Sequence, residues 1–396
     1  MSVGTAFHPR TEPLNRKMQW REWSGFFAAS IYFDHHDIEY NAIRESAALI
    51  DVSPLYKYKV SGPDSMRLID RVITRDATKI KVGGVVYTCW CNEFGKVLDD
   101  GTVARLADTT YRWTAADPSL RWFRQNGAGL DVEIEEITED VAAVALQGPR
   151  SRAVLEGATG ESFADLRYFQ RRAAQVQGIE LDVSRTGYTG DLGYELWVDS
   201  RHAVELWDAL IEAGQAHQIR PAGMLALDVV RLEAGLILIE ADFISARHAL
   251  IGEQTYSPFE IGLGRLINFK KGDFIGRSAL EAEHKAGGPA RRLVGLEIDW
   301  EGIVALHARH DLPPAVPAIA WRQAVPLYDK GRHIGKATSG TWSPTLKKMI
   351  ALGSVPPMFD KPGAEMKIEW TVESRRHKVD ATVVPLPFFD PPRKRS

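Results

Sequence analysis

The chain has 396 residues, 44% hydrophobic and 26% charged; this balance fits a soluble globular protein, too long for one ordinary core, so two or three domains are expected. A net charge of −3 gives no electrostatic pull toward nucleic acid or an anionic membrane. No apolar run nears the roughly 20 residues that span a bilayer, and the opening stretch from Met1 to Arg10 has no hydrophobic signal core.

In chain order, a polar lead carries an aromatic patch of Trp20, Trp23, Phe26 and Phe27. A helix is predicted over about 34–48, with Ile38, Ala42 and Ile43 on one stripe. Residues 56–61 alternate as a strand, and 64–73 read as an amphipathic helix. A hairpin follows, with arms over 84–91 and 96–106 and its turn at Asn92-Glu93-Phe94-Gly95. Cys89 and Cys91, the two cysteines of the chain, share one face of the first arm and are poorly placed to bridge each other. With no Cys or His partner nearby, no metal site is expected, and a reducing, cytoplasmic setting is. Asp99 and Asp100 in the second arm point to opposite faces. One is expected in solvent; the other faces whatever the sheet covers, where a carboxylate needs a partner or a task. The plainer alternative is a polar strand end.

Strands over 132–134 and 141–146 end in Gln147-Gly148-Pro149, a turn into a helix over 150–156. A strand over 178–184 runs into a loop with Gly187, Gly190 and Gly193 at every third position, and then into a strand from Tyr194. Such a loop can bring its backbone close to a flat ligand. Glu195, at the start of the rigid element beyond it, could accept two parallel N–H bonds; the alternative is a Gly-rich hairpin with an exposed Glu. A helix over 202–218 follows, then one over 224–234 that Pro221 opens and Gly235 closes. Arg231 shares a face with Leu227 and Ala234: half-buried it needs an anion, and otherwise its stem snorkels. Residues 281–292 form the best linker, dividing a region 1–285 from a region 286–390 in which short strands and turns point to a small β-barrel or sandwich. The tail from Pro391 to Ser396 is expected to be disordered. The β-loop-β-α order upstream suggests α+β layers.

Several chemistries are absent. There is no Gly-x-Gly-x-x-Gly or Walker motif for a nucleotide cofactor, no His-Glu-x-x-His or Cys-x-x-Cys for zinc, and no Gly-x-Ser-x-Gly for a serine hydrolase.

The motifs that remain fall in one order. Residues 184–196 closely resemble the "RTGYTGE-x-G-[FY]-E" signature of the glycine-cleavage T-protein (aminomethyltransferase) family. Residues 91–100, CNEFGKVLDD, resemble its "NE-x-GG-x-IDD", and Leu146-Gln147-Gly148-Pro149 matches its "QGP". Residues 231–236 match "RLEAGL", and 338–346, TSGTWSPTL, resemble "TSG-x-[FW]-SPTL". The resemblance covers about residues 50–356. It implies an α+β three-domain cloverleaf: two interleaved α+β parts in 1–285, then a C-terminal β-barrel, with tetrahydrofolate in the central hole. By the same resemblance Asp100 is the catalytic residue, near the reacting end of the folate. Glu195 would hold the pterin N–H groups, Tyr87 and Tyr188 would pack near the ring, and Arg231 would help bind the folate. The implied partner is a small-molecule one-carbon donor or a lipoyl carrier protein, with no nucleic acid and no membrane.

The chain also departs from the pattern. The family's "DVSHM" is Asp51-Val52-Ser53-Pro54-Leu55 here. Thr114 stands where the family has an Asn, Gly101-Thr102 follows Asp100, and residues 237–256, with Arg247 and His248, are longer than the family's link. These departures cluster where the donor would enter. The function expected is therefore one-carbon transfer to N5 of tetrahydrofolate, with small-molecule O-, S- or N-demethylation on the same scaffold as the first alternative. A non-catalytic folate-binding regulator is the second. Relatives of that kind carry "KGCY-x-GQE", and the comparable stretch here, residues 270–277, has no Cys, which favours an enzyme.

Overall fold

A computed structural model describes residues 2–395. Its strands fall into a six-stranded sheet, a five-stranded sheet, a closed six-stranded barrel and a small three-stranded sheet. The aromatic patch belongs to the small sheet, as strands Trp20–Trp23 and Phe26–Ala29.

The six-stranded sheet is ordered Arg171–Val176, Ile179–Ser184, Gly193–Asp199, Val141–Gln147, Ala48–Asp51, Arg220–Pro221. The five-stranded sheet is ordered Val85–Cys91, Val97–Ala107, Thr110–Ala115, Tyr56–Ser61, Glu133–Glu136. All of the second sheet lies, in sequence, between Ala48–Asp51 and Val141–Gln147 of the first. The two α+β parts are interleaved as the resemblance implied, and the barrel opens at Arg292–Ile298 and closes with Arg375–Val384. The barrel region also carries a helix, Trp300–Ala308, that strand alternation did not reveal.

The hydrophobic stripes explain the layers. In the helix Ser65–Val72, Leu68, Ile69 and Val72 are all buried, in one cluster with Trp90 and Trp113 of the five-stranded sheet and Phe123 of the helix Leu120–Gly127. The helix Ala203–Gly214 buries Leu206, Trp207 and Leu210 against the six-stranded sheet. The helix Met224–Glu233 is buried on every side. It packs in the central cluster, which also holds Cys89, Cys91 and Val97. The two cysteines are buried and unbridged.

The C-terminal tail is ordered through Arg395, with Ser396 outside the described residues. The Phe389 N–H donates to the Glu233 carbonyl at 2.8 Å, and Arg393 makes a two-pronged pair with Asp191 at 2.6 and 2.9 Å. Local composition suggested a free basic tail because its acceptor, Asp191, lies about 200 residues upstream in the glycine-rich loop.

Candidate functional site

The glycine-rich loop is pinned from behind by one side chain. The Gln147 amide donates to the carbonyls of Thr186 and Tyr194 at 3.2 and 3.3 Å and accepts from Thr189 Oγ1 at 2.7 Å. A Cβ at Gly187 would lie 2.1 Å from that amide and one at Gly193 2.3 Å. Gly190 holds φ at +71°, where other residues are strained. Gly187 and Gly193 therefore serve the seating of Gln147, Gly190 makes room for Ala234, and the loop delivers Glu195 at a fixed place on the Gly193–Asp199 strand. Glu195 is half-buried and accepts from Thr186 Oγ1; among the described residues no hydrogen bond reaches its other oxygen. Burial pushes its carboxyl upward, opposed by the Thr186 bond and the nearby Arg112 guanidinium.

Across the central cluster, strand register decides the roles of the aspartates. In the hairpin Asp100 pairs with Cys89 and Asp99 with Trp90. Trp90 belongs to the core beneath the five-stranded sheet, whereas Cys89 and Tyr87 face the central cluster. Asp99 is fully buried and accepts three backbone N–H bonds, from Asp100, Ala116 and Asp117, at 2.7, 3.0 and 2.9 Å. Neither aspartate is simply a solvated strand end. Asp100 takes the Tyr87 hydroxyl at 2.6 Å. Burial pushes Asp100 up to about 6, with the Tyr87 hydrogen bond holding it down. Burial and then the charge on Asp100 push both Tyr87 and Asp99 well above their usual ranges.

Tyr188 joins this side. Its hydroxyl donates to the Ile237 carbonyl; burial pushes its pKa upward, opposed by the Arg231 charge and reinforced by that of Asp100. Arg231 is fully buried, not half-buried. The anion it meets is Asp242, at 2.6 Å, with Ser339 Oγ at 3.2 Å. Its Nε and Nη2 have no hydrogen-bond partner. Arg231 is thus chiefly a junction between the helix and the barrel, with two N–H-bearing atoms in reserve.

Two departures from the family pattern compensate each other. A Cβ at Gly101 would lie 2.0 Å from the Thr114 carbonyl oxygen, so only glycine allows the strands to approach this closely. The Thr114 hydroxyl then accepts from the Thr102 N–H at 2.9 Å and lies 2.8 Å from the Thr102 hydroxyl. Sequence reasoning missed Asp242, although it lies in the segment singled out as long. It also missed Tyr168, which lies within electrostatic reach of Glu195 and carried no pattern of its own.

The family model for the GCVT N-terminal domain matches residues 12–271, and that for the glycine cleavage T-protein C-terminal barrel domain matches 291–390. The chain belongs to the glycine-cleavage T-protein family. This is a family of folate-dependent one-carbon transferases. The chain is 32% identical over 371 residues to an aminomethyltransferase of Bacillus cytotoxicus, covering 92% of this chain and 93% of that one. It is 37% identical over 411 residues to the trimethylamine-oxide aldolase of Ruegeria pomeroyi. That match takes in all of this chain but only 48% of the relative, so the chain spans about half of that protein's length. The crystal structure of the glycine cleavage system aminomethyltransferase T from Bartonella henselae superposes with a TM-score of 0.83 at 25% identity, covering 98% of this chain and 99% of that one. Among the described residues no helix is long and apolar enough to cross a membrane.

Proposed function

We propose that this T-protein-family chain binds tetrahydrofolate in its central opening and transfers a one-carbon unit from a donor to N5. The reading rests on one observation above others. Asp100, raised to about 6 and held by Tyr87, shares the central cluster with Tyr188, and Glu195 stands at the end of the pinned loop. The residues fit the group: Glu195 keeps an oxygen for a pterin N–H, Tyr87 and Tyr188 offer aromatic faces, and Arg231 Nε and Nη2 make no hydrogen bond, Nε facing Asp228 Oδ1 at 3.9 Å. Bound tetrahydrofolate would supply the nucleophilic nitrogen. Glu195 orients the ring through charge-assisted hydrogen bonds. Holding donor and acceptor together can supply roughly 7–11 kcal/mol. Asp100, ionised at neutral pH, stabilises positive charge developing on the transferring group, or moves its proton.

For the donor we favour a small molecule over a lipoyl carrier protein. The relative named for trimethylamine-oxide cleavage supports this choice, as do the departures at Gly101, Thr114 and 237–256. Small-molecule demethylation is the finer form of this reading. Calorimetric titration with tetrahydrofolate tests the core of it: saturable binding is expected, and none at millimolar folate would overturn it.

A further inference from the structure

The long segment 237–256 brings a second set of polar groups to the edge of the Asp99–Asp100 strand. It is fastened there by backbone bonds from Ala246 N–H to the Val97 carbonyl and from Val97 N–H to the Tyr256 carbonyl, each 2.8 Å. Within it, His248 Nδ1 lies 2.9 Å from a Glu240 carboxylate oxygen, and His248 Nε2 lies 3.5 Å from Asp117 Oδ2. One ligand atom from each of Asp117, Glu240 and His248 lies within 4.8 Å of the others.

The two contacts differ in kind. At 2.9 Å, Glu240 is placed to accept Nδ1–H, and in the neutral tautomer this selects, the lone pair on Nε2 is directed at Asp117. Asp117 Oδ2 is shielded from solvent and has no hydrogen-bond partner. In that tautomer two acceptor atoms face each other at 3.5 Å, and either a proton on Nε2 or a cation must lie between them. That gap is long for a hydrogen bond. It is the spacing of two ligands sharing one ion at about 2.0–2.2 Å from each.

We propose that Asp117 Oδ2 and His248 Nε2 bind a divalent cation of the zinc class, with Glu240 as the carboxylate that orients the histidine. A carboxylate on the far nitrogen is the usual support of a metal-bound imidazole, and a mixed nitrogen–oxygen set suits Zn2+ or Mn2+. The support is preorganised. The Asp117 N–H is held by Asp99 at 2.9 Å. The neighbouring Arg247 guanidinium bonds to Ser119 Oγ and the Pro118 carbonyl, each at 3.2 Å, while its charge still reaches Asp117. His248 and Glu240 are both about half exposed, at 47%, so the remaining positions open to water at the edge of the site. This assignment does not depend on the folate reading.

Equilibrium dialysis of the metal-stripped chain against Zn2+ tests it, with Co2+ as a spectroscopic stand-in. One equivalent should bind, with ligand-field bands for Co2+. His248→Ala and Asp117→Asn should each weaken binding at least tenfold, and Glu240→Gln by less. Tetrahydrofolate titration in EDTA should be the same for wild type and His248→Ala. If folate fails to bind wild type, the functional reading falls and this one stands. If wild type takes up no stoichiometric Zn2+ or Mn2+, or if His248→Ala binds as wild type does, a bridging proton is all that His248 holds and the proposal is overturned.

Discussion

Burial brings Asp100 close to neutrality in its acidity, and that sets its dependence on pH. Its folded value of about 6 lies above the ordinary 3.8. Its contribution to stability is therefore full below pH 3.8 and is lost as pH rises through about 6. The ionised, active form is the one the fold tolerates less. Asp100→Asn should lower turnover by about 10²-fold or more while raising the melting temperature at pH 8, as read by calorimetry. The acid limb of kcat/KM in the wild type should fall near pH 6, and Tyr87→Phe should move that limb upward, because the hydroxyl that favours the carboxylate is gone. An unmoved limb would show that another group titrates. Across the site, Glu195→Gln leaves a neutral amide that cannot accept two N–H bonds. Folate affinity should fall by about 1.5–3 kcal/mol, measured by titration; wild-type affinity would remove Glu195 from the site.

Within the strand Val97–Ala107, pairing register separates two chemically identical neighbours. Asp99 ties its strand to the turn after Thr110–Ala115 through the N–H groups of Ala116 and Asp117, and accepts a third from Asp100 on its own strand. An asparagine cannot accept all three, and a buried donor left unpaired costs about 1–3 kcal/mol. Asp99→Asn should therefore lower the melting temperature with a milder effect on turnover than Asp100→Asn. If Asp99→Asn abolishes transfer while Asp100→Asn spares it, the roles are reversed. The opposite faces of the pair were legible from alternation alone. The use of Asp99 as an anchor was not, because its donors at Ala116 and Asp117 come from a different strand end.

At the scale of the whole molecule, two motifs far apart in the chain meet at one buried carboxylate. Glu233 accepts from Arg44 Nε and Nη2 at 2.8 and 2.6 Å, from the Tyr40 hydroxyl at 2.6 Å and from Ser343 Oγ of the barrel at 2.5 Å. Arg44 also reaches Asp191, which Arg393 of the tail holds from the other side. Helix, glycine-rich loop, barrel and tail thus share one network. Glu233→Leu leaves the buried Arg44 without its main partner and should cost about 3–5 kcal/mol. Calorimetry should show a lowered melting temperature; an unchanged one would mean that the barrel docks without this network. Much of this molecule was determined by the sequence itself. Hydrophobic periodicity and turn residues act over a few positions, so many of the strands, the longer helices, the glycine-rich loop and the barrel could be read locally, and the ordered motifs pointed to the family; the short strands Ala48–Asp51, Arg171–Val176 and Arg220–Pro221 carry no such pattern. Only the tertiary structure decided where the charges go. Arg231 found Asp242, Arg393 found Asp191, and Glu233 found Ser343. Such choices depend on which carboxylate folding brings within a few ångströms, and no local pattern carries that distance.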